Sequence, residues 1–364
     1  MREPFIPRCQ HSDESVHCFF NRRFGNRVAE YLASSLVHGI YAADATQLSM
    51  RYAFPAIWNA EQEHGSVLMG MTRVNKELLQ QLRNEKKSLN TLYPNLSTKI
   101  ENASIYAFRN GMSTLSNKIV DALKKSSNVQ ILVEDKALEV SFNSGQLNTL
   151  LSSGKELKSN RVILATSTPV VANLLMLNDS LTEELKTVPY RTVAVVNLAY
   201  SKTKLLPVNG FGYLVPAFVD SPVIGVIFDS DAIPDQDLVP QTRLTVMIND
   251  LQWERRYGDE LLDAQQARIL QVAEECIFES LGIHDSPETT QVNVQRACIP
   301  QFPVGYRDTL QEVHSTLHNQ YDGRVSVLGA SWQGVSINDC IMNARSVADK
   351  IGQQLRVTGL EDRI

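Results

Sequence analysis

The 364-residue sequence is poor in cysteine: five, at positions 9, 18, 276, 298 and 340, and no two of them form a CxxC pair. An odd count at low density excludes a disulfide framework and points to reduced, mostly buried thiols. Metal-ligand clusters are equally scarce. His314 and His318 stand one helical turn apart, but no glutamate between them completes an HExxH motif, so they read as a solvated helix face and no metal is expected. Positive charge is not in excess either: 35 Lys and Arg against 40 Asp and Glu give a net charge of −5. Nucleic acid is therefore not expected as a partner, since it selects a concentrated basic surface. No apolar run approaches the roughly 20 residues that a spanning helix needs, which excludes a polytopic membrane protein. Residues 1–10 carry two arginines, two prolines and no apolar stretch, and read as neither signal nor transit peptide. Repeats and low-complexity tracts are absent.

What is present is a chain whose hydrophobic period changes along its length. Val16, Phe19, Phe20, Phe24, Val28, Tyr31, Leu32 and Leu36 recur at helical spacing and predict one continuous apolar stripe, with cap candidates at Ser12 and Ser15 and a stop at His38-Gly39. Residues 47–58 and 62–71 continue the helical pattern, interrupted by Pro55. Short Val/Ile/Leu-rich runs follow at 129–133, 138–142, 161–165, 192–200, 223–228, 244–248 and 292–299, with one helix over 261–281. This order defines a mixed α/β chain with a helical layer at its start.

The segment richest in chemical meaning lies near the C-terminus. A short strand, Val325 to Leu328, runs into Gly329-Ala330-Ser331-Trp332-Gln333-Gly334, and a helix opens at Val335 or Ser336 with Ser336 and Asp339 spaced as a capping box. Glycines let a ligand approach the backbone, and the helix N-terminus favours electron-rich ligand atoms. An ordinary structural turn would use the same residues.

Residues 329–341, with Ala344-Arg345, resemble the C-terminal flavin segment of the protoporphyrinogen oxidase family. The likeness extends collinearly through residues 14–17, 22–25, 54–62, 193–198, 208–216 and 298–302. It is greatest to mitochondrial, fungal-type members. The resemblance implies a flavin amine oxidase-like fold, FAD as cofactor, and oxidation of protoporphyrinogen IX to protoporphyrin IX by molecular oxygen with release of hydrogen peroxide. It divides the chain into a helical membrane-side layer (1–103), a first FAD segment (104–172), a substrate domain (173–300) and a second FAD segment (301–364). It places Ala330, Gly334, Val335, Ser336 and Ile337 at the flavin, Ala137 at the adenine end, and Phe211, Gly212, Leu214 and Met247 at the substrate. Strand alternation sets Gly212 and Leu214 on one face, Gly212 leaving room for the macrocycle, with Phe211 shaping the wall from behind. No side chain is assigned a catalytic acid or base role, because the flavin does the hydride chemistry. The resemblance also implies peripheral attachment to the mitochondrial inner membrane and admits a homodimer.

One departure is large. Family members open with a strand, a GxGxxG turn and a helix that hold the ADP part of FAD. Residues 1–364 contain no such unit, so the chain is read as the larger C-terminal part of the enzyme. A non-catalytic tetrapyrrole- or partner-binding relative of the fold, or another flavin amine oxidase, is the alternative.

Overall fold

The computed structural model describes residues 3–73, 80, 83, 84, 87, 90, 91, 93, 94, 106–362 and 364. In chain order the main helices are α1 (Val16–Phe24), α2 (Ser34–Tyr41), α3 (Pro55–His64), α4 (Val67–Thr72), α5 (Ser113–Lys124), α6 (Thr168–Leu174), α7 (Asp179–Thr187), α8 (Asp250–Tyr257), α9 (Gln266–Leu281), α10 (Tyr306–Gln320) and α11 (Ile337–Gly352). The strands are β1 (Ala137–Asn143), β2 (Gln146–Leu151), β3 (Glu156–Ser159), β4 (Val162–Leu164), β5 (Tyr190–Tyr200), β6 (Gly212–Leu214), β7 (Val223–Ile227), β8 (Thr242–Asn249), β9 (Thr289–Pro300) and β10 (Val325–Val327). The chain is mixed α/β, and it divides into two compact units. One holds Met1–Arg8, Ala56–Leu132 and Ile233–Val239, and the other holds the remainder. The polar tract from Lys76 onward lies largely outside the described residues.

In the smaller unit, α3 and α4 pack closely: a Cβ added to Gly70 would stand 2.6 Å from the Cβ of Ala60. The buried carboxylate of Glu3 caps α4, accepting from Ser66 Oγ (2.6 Å) and from the backbone N–H groups of Val67 (2.9 Å) and Leu68 (3.4 Å). A negative charge there also meets the favourable end of the helix dipole. No residue of α5 is buried, and the run 129–133 forms no strand; Val129, Ile131, Leu132 and Val133 are exposed. High β-propensity without a partner strand does not make a strand.

In the larger unit the expected single stripe over residues 16–36 is split. Gly25, at φ 89°, ends α1, and a π turn at Ala29–Ala33 precedes α2. The buried face therefore passes from Val16, Phe19 and Phe20 to Ala29, Ala33 and Val37, while Tyr31 and Leu32 are left exposed. The helix also runs through His38-Gly39 and ends at Ala42, which adopts a left-handed conformation.

The core of this unit is the five-stranded antiparallel sheet β6-β7-β8-β5-β9. Alternate residues of its central strands share one deeply buried face. Ala194, Val196 and Leu198 of β5, Val226 of β7 and Leu244, Val246 and Ile248 of β8 are buried together with Trp253 of α8 and Ile269, Ala273 and Ile277 of α9. Each fully buried aliphatic side chain contributes about 1.5–3 kcal/mol of transfer free energy, so this face fixes the register. The opposite face carries a smaller cluster, Ala42, Val193 and Ile224, with Val195 and Met247 packed against it. A second layer consists of the hairpins β1-β2-β3 and the parallel pair β4-β10, in which Val162, Ile163 and Leu164 oppose Val325, Ser326 and Val327.

Candidate flavin and substrate site

The face of the five-stranded sheet opposite the main core carries two cross-strand rows. Leu214, Gly225, Met247, Val195 and Asn293 stand opposite one another in succession across all five strands. Gly212, Ile227, Thr245, Asn197 and Gln291 form the next row. Leu214 and Met247 are thus brought to one face with only Gly225 between them, and the Leu214 side chain lies over that glycine: a Cβ at Gly225 would be 3.0 Å from Leu214 Cδ2. The first row is apolar over four strands, the second becomes polar, with Asn197 Nδ2 donating to Thr245 Oγ1 (2.8 Å) and that hydroxyl to Asp229 (2.7 Å). A flat, largely hydrophobic ligand with polar groups at one side matches this gradient.

Gly212 meets a steric requirement of the sheet that the sequence does not report. Its φ is 145°, and a Cβ would lie 2.1 Å from Val226 O on the neighbouring strand. The sheet's own backbone therefore requires glycine here, whether or not a ligand lies against it. Phe211 lies just before β6 and is 53% exposed.

His38 anchors the edge of the wall. Its Nδ1 is 2.8 Å from Val215 O, just beyond β6, and its Nε2 is 2.9 Å from Asn249 Nδ2 at the end of β8. A carbonyl can only accept, so Nδ1 carries the proton and Nε2 accepts from the amide, which pins the neutral tautomer. Burial pushes the His38 pKa below the usual 6.5. Neither His38 nor Gly225 was singled out for the site from sequence. A glycine in the middle of Val223–Ile227 is the signal for a close approach that a strand reading overlooks.

The glycine loop follows β10. Gly329 (φ 102°) leads into a four-residue helix, Ala330–Gln333, then Gly334 (φ 142°) and α11. The capping box is complete: Ser336 Oγ accepts from Asp339 N, and the Asp339 carboxylate accepts from Ser336 N. A Cβ at Gly334 would lie 2.7 Å from that carboxylate, so this glycine serves the cap. Gly329, by contrast, faces nothing within 4 Å, Ala330 and Val335 are half-buried, and Ser336 and Ile337 are exposed. Backbone at Gly329, Ala330 and Val335–Ile337 is therefore approachable by a planar aromatic group, and these residues fit the flavin end of FAD. Ala137 does not join them; it starts β1, in the hairpin layer, exposed beside a bulge. That layer meets the base of β10 through Arg324, which donates to Gly145 O (3.0 Å) and stacks on Phe142.

Loop and wall share one scaffold. Tyr190, the first residue of β5, donates to Ser331 Oγ (3.0 Å) and accepts from Thr168 N (3.0 Å). Tyr306 OH donates to Ser331 O (2.9 Å), and the fully buried Trp332 donates through Nε1 to Thr166 O (3.0 Å). The strand that supplies Val195 to the wall therefore also holds the loop.

A flavoprotein oxidoreductase is the class that this arrangement defines, and comparison with known proteins agrees. The chain belongs to the flavin containing amine oxidoreductase family, whose profile matches residues 1–352. Among curated proteins it is 30% identical over 362 residues to protoporphyrinogen oxidase of Bos taurus, covering 96% of this chain and 71% of that one. The protoporphyrinogen oxidase of Schizosaccharomyces pombe is also 30% identical, with the same coverage. Among solved structures, a protein from Exiguobacterium sp. 255-15 provisionally named protoporphyrinogen oxidase shares the fold with a TM-score of 0.69 at 20% identity, over 96% of this chain and 68% of that one.

Proposed function

We propose that this chain oxidises protoporphyrinogen IX to protoporphyrin IX in haem biosynthesis, with molecular oxygen as the final electron acceptor and hydrogen peroxide as the by-product. The observation that carries the reading is the apolar row Leu214–Gly225–Met247–Val195, a smooth wall for a flat macrocycle, on the strand β5 that also fixes the glycine loop. FAD, when bound, supplies the hydride acceptance that no side chain of the chain can supply. The backbone at Ala330 and Gly334–Ile337 would hold its flavin end and the region of Ala137 its adenine end. Phe211, Gly212, Leu214 and Met247 would orient the macrocycle, and the Asn197–Thr245–Asp229 relay offers polar groups to its rim. The helix N-terminus at Ser336 would present a positive dipole end to a group bound there, which favours negative charge on it.

The attachment is to a membrane surface, that of the mitochondrial inner membrane, and a homodimer fits the same reading. Among the described residues no helix is long and apolar enough to cross a membrane. Tyr31, Leu32, Ile40 and Phe218 are nevertheless exposed, with the Tyr31 and Phe218 rings 4.9 Å apart, which suits a peripheral contact.

The test is porphyrin fluorescence appearing from colourless protoporphyrinogen IX in air, with FAD, compared with a protein-free control. FAD-dependent acceleration that Leu214→Arg abolishes supports the reading. Tetrapyrrole binding without FAD-dependent turnover would replace it with the non-catalytic alternative.

A further inference from the structure

The family match stops at residue 352, yet the segment that follows α11 turns back into the protein. Val357, Thr358 and Leu360 are fully buried, and Thr358 is 0% exposed. The segment lies along the free edge of β10. Val327 N donates to Thr358 O (2.8 Å), Val357 N donates to Gly323 O (3.1 Å), and the Ser326 hydroxyl donates to Val357 O. Val357 packs in one small cluster with Leu328, the residue just before Gly329, and with Val347 and Ile351 of α11. Both flanks of the cofactor loop are therefore held against the same short segment.

Thr358 is also tied to α10. Its hydroxyl donates to Glu361 Oε1 (3.0 Å), and the same oxygen accepts from Thr358 N (2.6 Å). With that single hydroxyl proton committed, the 2.7 Å contact between His314 Nδ1 and Thr358 Oγ1 has Nδ1–H as its donor. His314 is thus not part of a purely solvated helix face, although His318 is exposed. About 12 Å along the same helix, Tyr306 OH donates to Ser331 O inside the loop. Helix α10 grips the loop from its first residue and the following segment from near its middle.

We propose that residues 357–361 form a latch that positions the Gly329–Gly334 loop, with Thr358 as its positioning residue. The latch works by fixing β10 from its free edge: when Thr358 lets go of His314 and Glu361, β10 and the loop that follows it gain freedom together. The functional weight of the latch rests on the flavin reading of the loop, but its test does not. Trp58, Trp253 and Trp332 are the three tryptophans of the chain, and only Trp332 lies in the loop.

The experiment is fluorine NMR of the protein grown with 5-fluorotryptophan, the Trp332 signal being assigned by Trp332→Phe, together with hydrogen exchange at Val327. Thr358→Val keeps the shape and removes the hydroxyl. It is expected to move or broaden the Trp332 resonance, leave those of Trp58 and Trp253 in place, and speed exchange at the Val327 amide by at least about tenfold, as local opening becomes easier. Thr358→Ser is expected to restore both signals. An unchanged Trp332 resonance in Thr358→Val, or one equally disturbed in Thr358→Ser, overturns the latch. Should Thr358→Val fail to fold, Glu361→Gln, which weakens the acceptor without altering its shape, is judged by the same two signals. Porphyrinogen oxidation left unchanged by Thr358→Val, with the Trp332 and Val327 effects present, would count against the flavin reading of the loop and not against the latch.

Discussion

Gly39 of α2 stands against Leu214 of β6 so closely that a Cβ on the glycine would lie 2.4 Å from Leu214 Cδ2. The colliding atom is the end of a flexible, partly exposed side chain, so the conflict is relieved by turning Leu214 rather than by moving backbone. Gly39→Ala also gains helix propensity of about 1 kcal/mol. The expected result is a thermal midpoint unchanged or slightly raised, with a weakened apparent affinity for porphyrinogen and flavin binding untouched. A falling midpoint would show that Leu214 has nowhere to go.

Gly212 is expected to behave in the opposite way. Its φ of 145° disfavours any side chain, and the obstacle is Val226 O, a backbone atom. Gly212→Ala combines backbone strain of about 1–3 kcal/mol with overpacking of similar size. The variant should lose folded yield and midpoint before any selective loss of turnover, as circular dichroism melting would register. A well-folded Gly212→Ala protein with impaired turnover would return this residue to a purely ligand-facing role.

His38 gives the fold a pH dependence with a defined sign. Its folded pKa lies below the unfolded value of 6.5, because burial penalises the charged ring. The unfolded chain therefore takes up a proton first as pH falls. The contribution of His38 is full above about pH 6.5 and is lost progressively below it, at up to about 1.4 kcal/mol per pH unit. Urea melts in mildly acidic buffers should show this slope in the wild type and a flatter one in His38→Gln.

Tyr190 couples the wall to the loop through one hydroxyl. Tyr190→Phe removes its bonds to Ser331 and Thr168 and should cost about 1–2 kcal/mol of stability. If wall and loop work as one scaffold, flavin affinity and porphyrinogen affinity should fall together. Loss of either one alone would separate the two halves of the site.

The strands of the large sheet were legible in sequence because β5 and β8 alternate between an apolar core face and a second, more mixed face, and alternation survives translation into structure with little help from context. The capping box at Ser336 and Asp339 was legible for the same local reason. Segments whose conformation depends on partners were not. Residues 129–133 have the composition of a strand and no strand beside them, while the hairpin of β2 and β3, made of Gln, Asn, Thr, Lys and Glu as much as leucine, pairs through backbone geometry that composition does not report. Gly25 broke a helical stripe that looked continuous, since the apolar spacing passes through a glycine without registering its φ. At the site, Leu214 and Met247 could be placed on one wall, but that Gly225 separates them, and that His38 secures the edge, are facts of cross-strand register and of a helix distant in sequence.

The parallel pairing of β4 with β10 has a kinetic consequence. Between these two strands the chain makes every strand of the substrate sheet, so the pair closes one of the longest loops in the protein. Closure of such a loop is unfavourable until the intervening chain has condensed, and contacts between distant segments form slowly. The antiparallel sheet, whose pairings close shorter stretches of chain, should acquire protection from hydrogen exchange early in refolding, while β10 and the glycine loop acquire it late. During that interval the wall exists without the loop beside it, so a macrocycle could meet a formed surface before there is anywhere for its electrons to go.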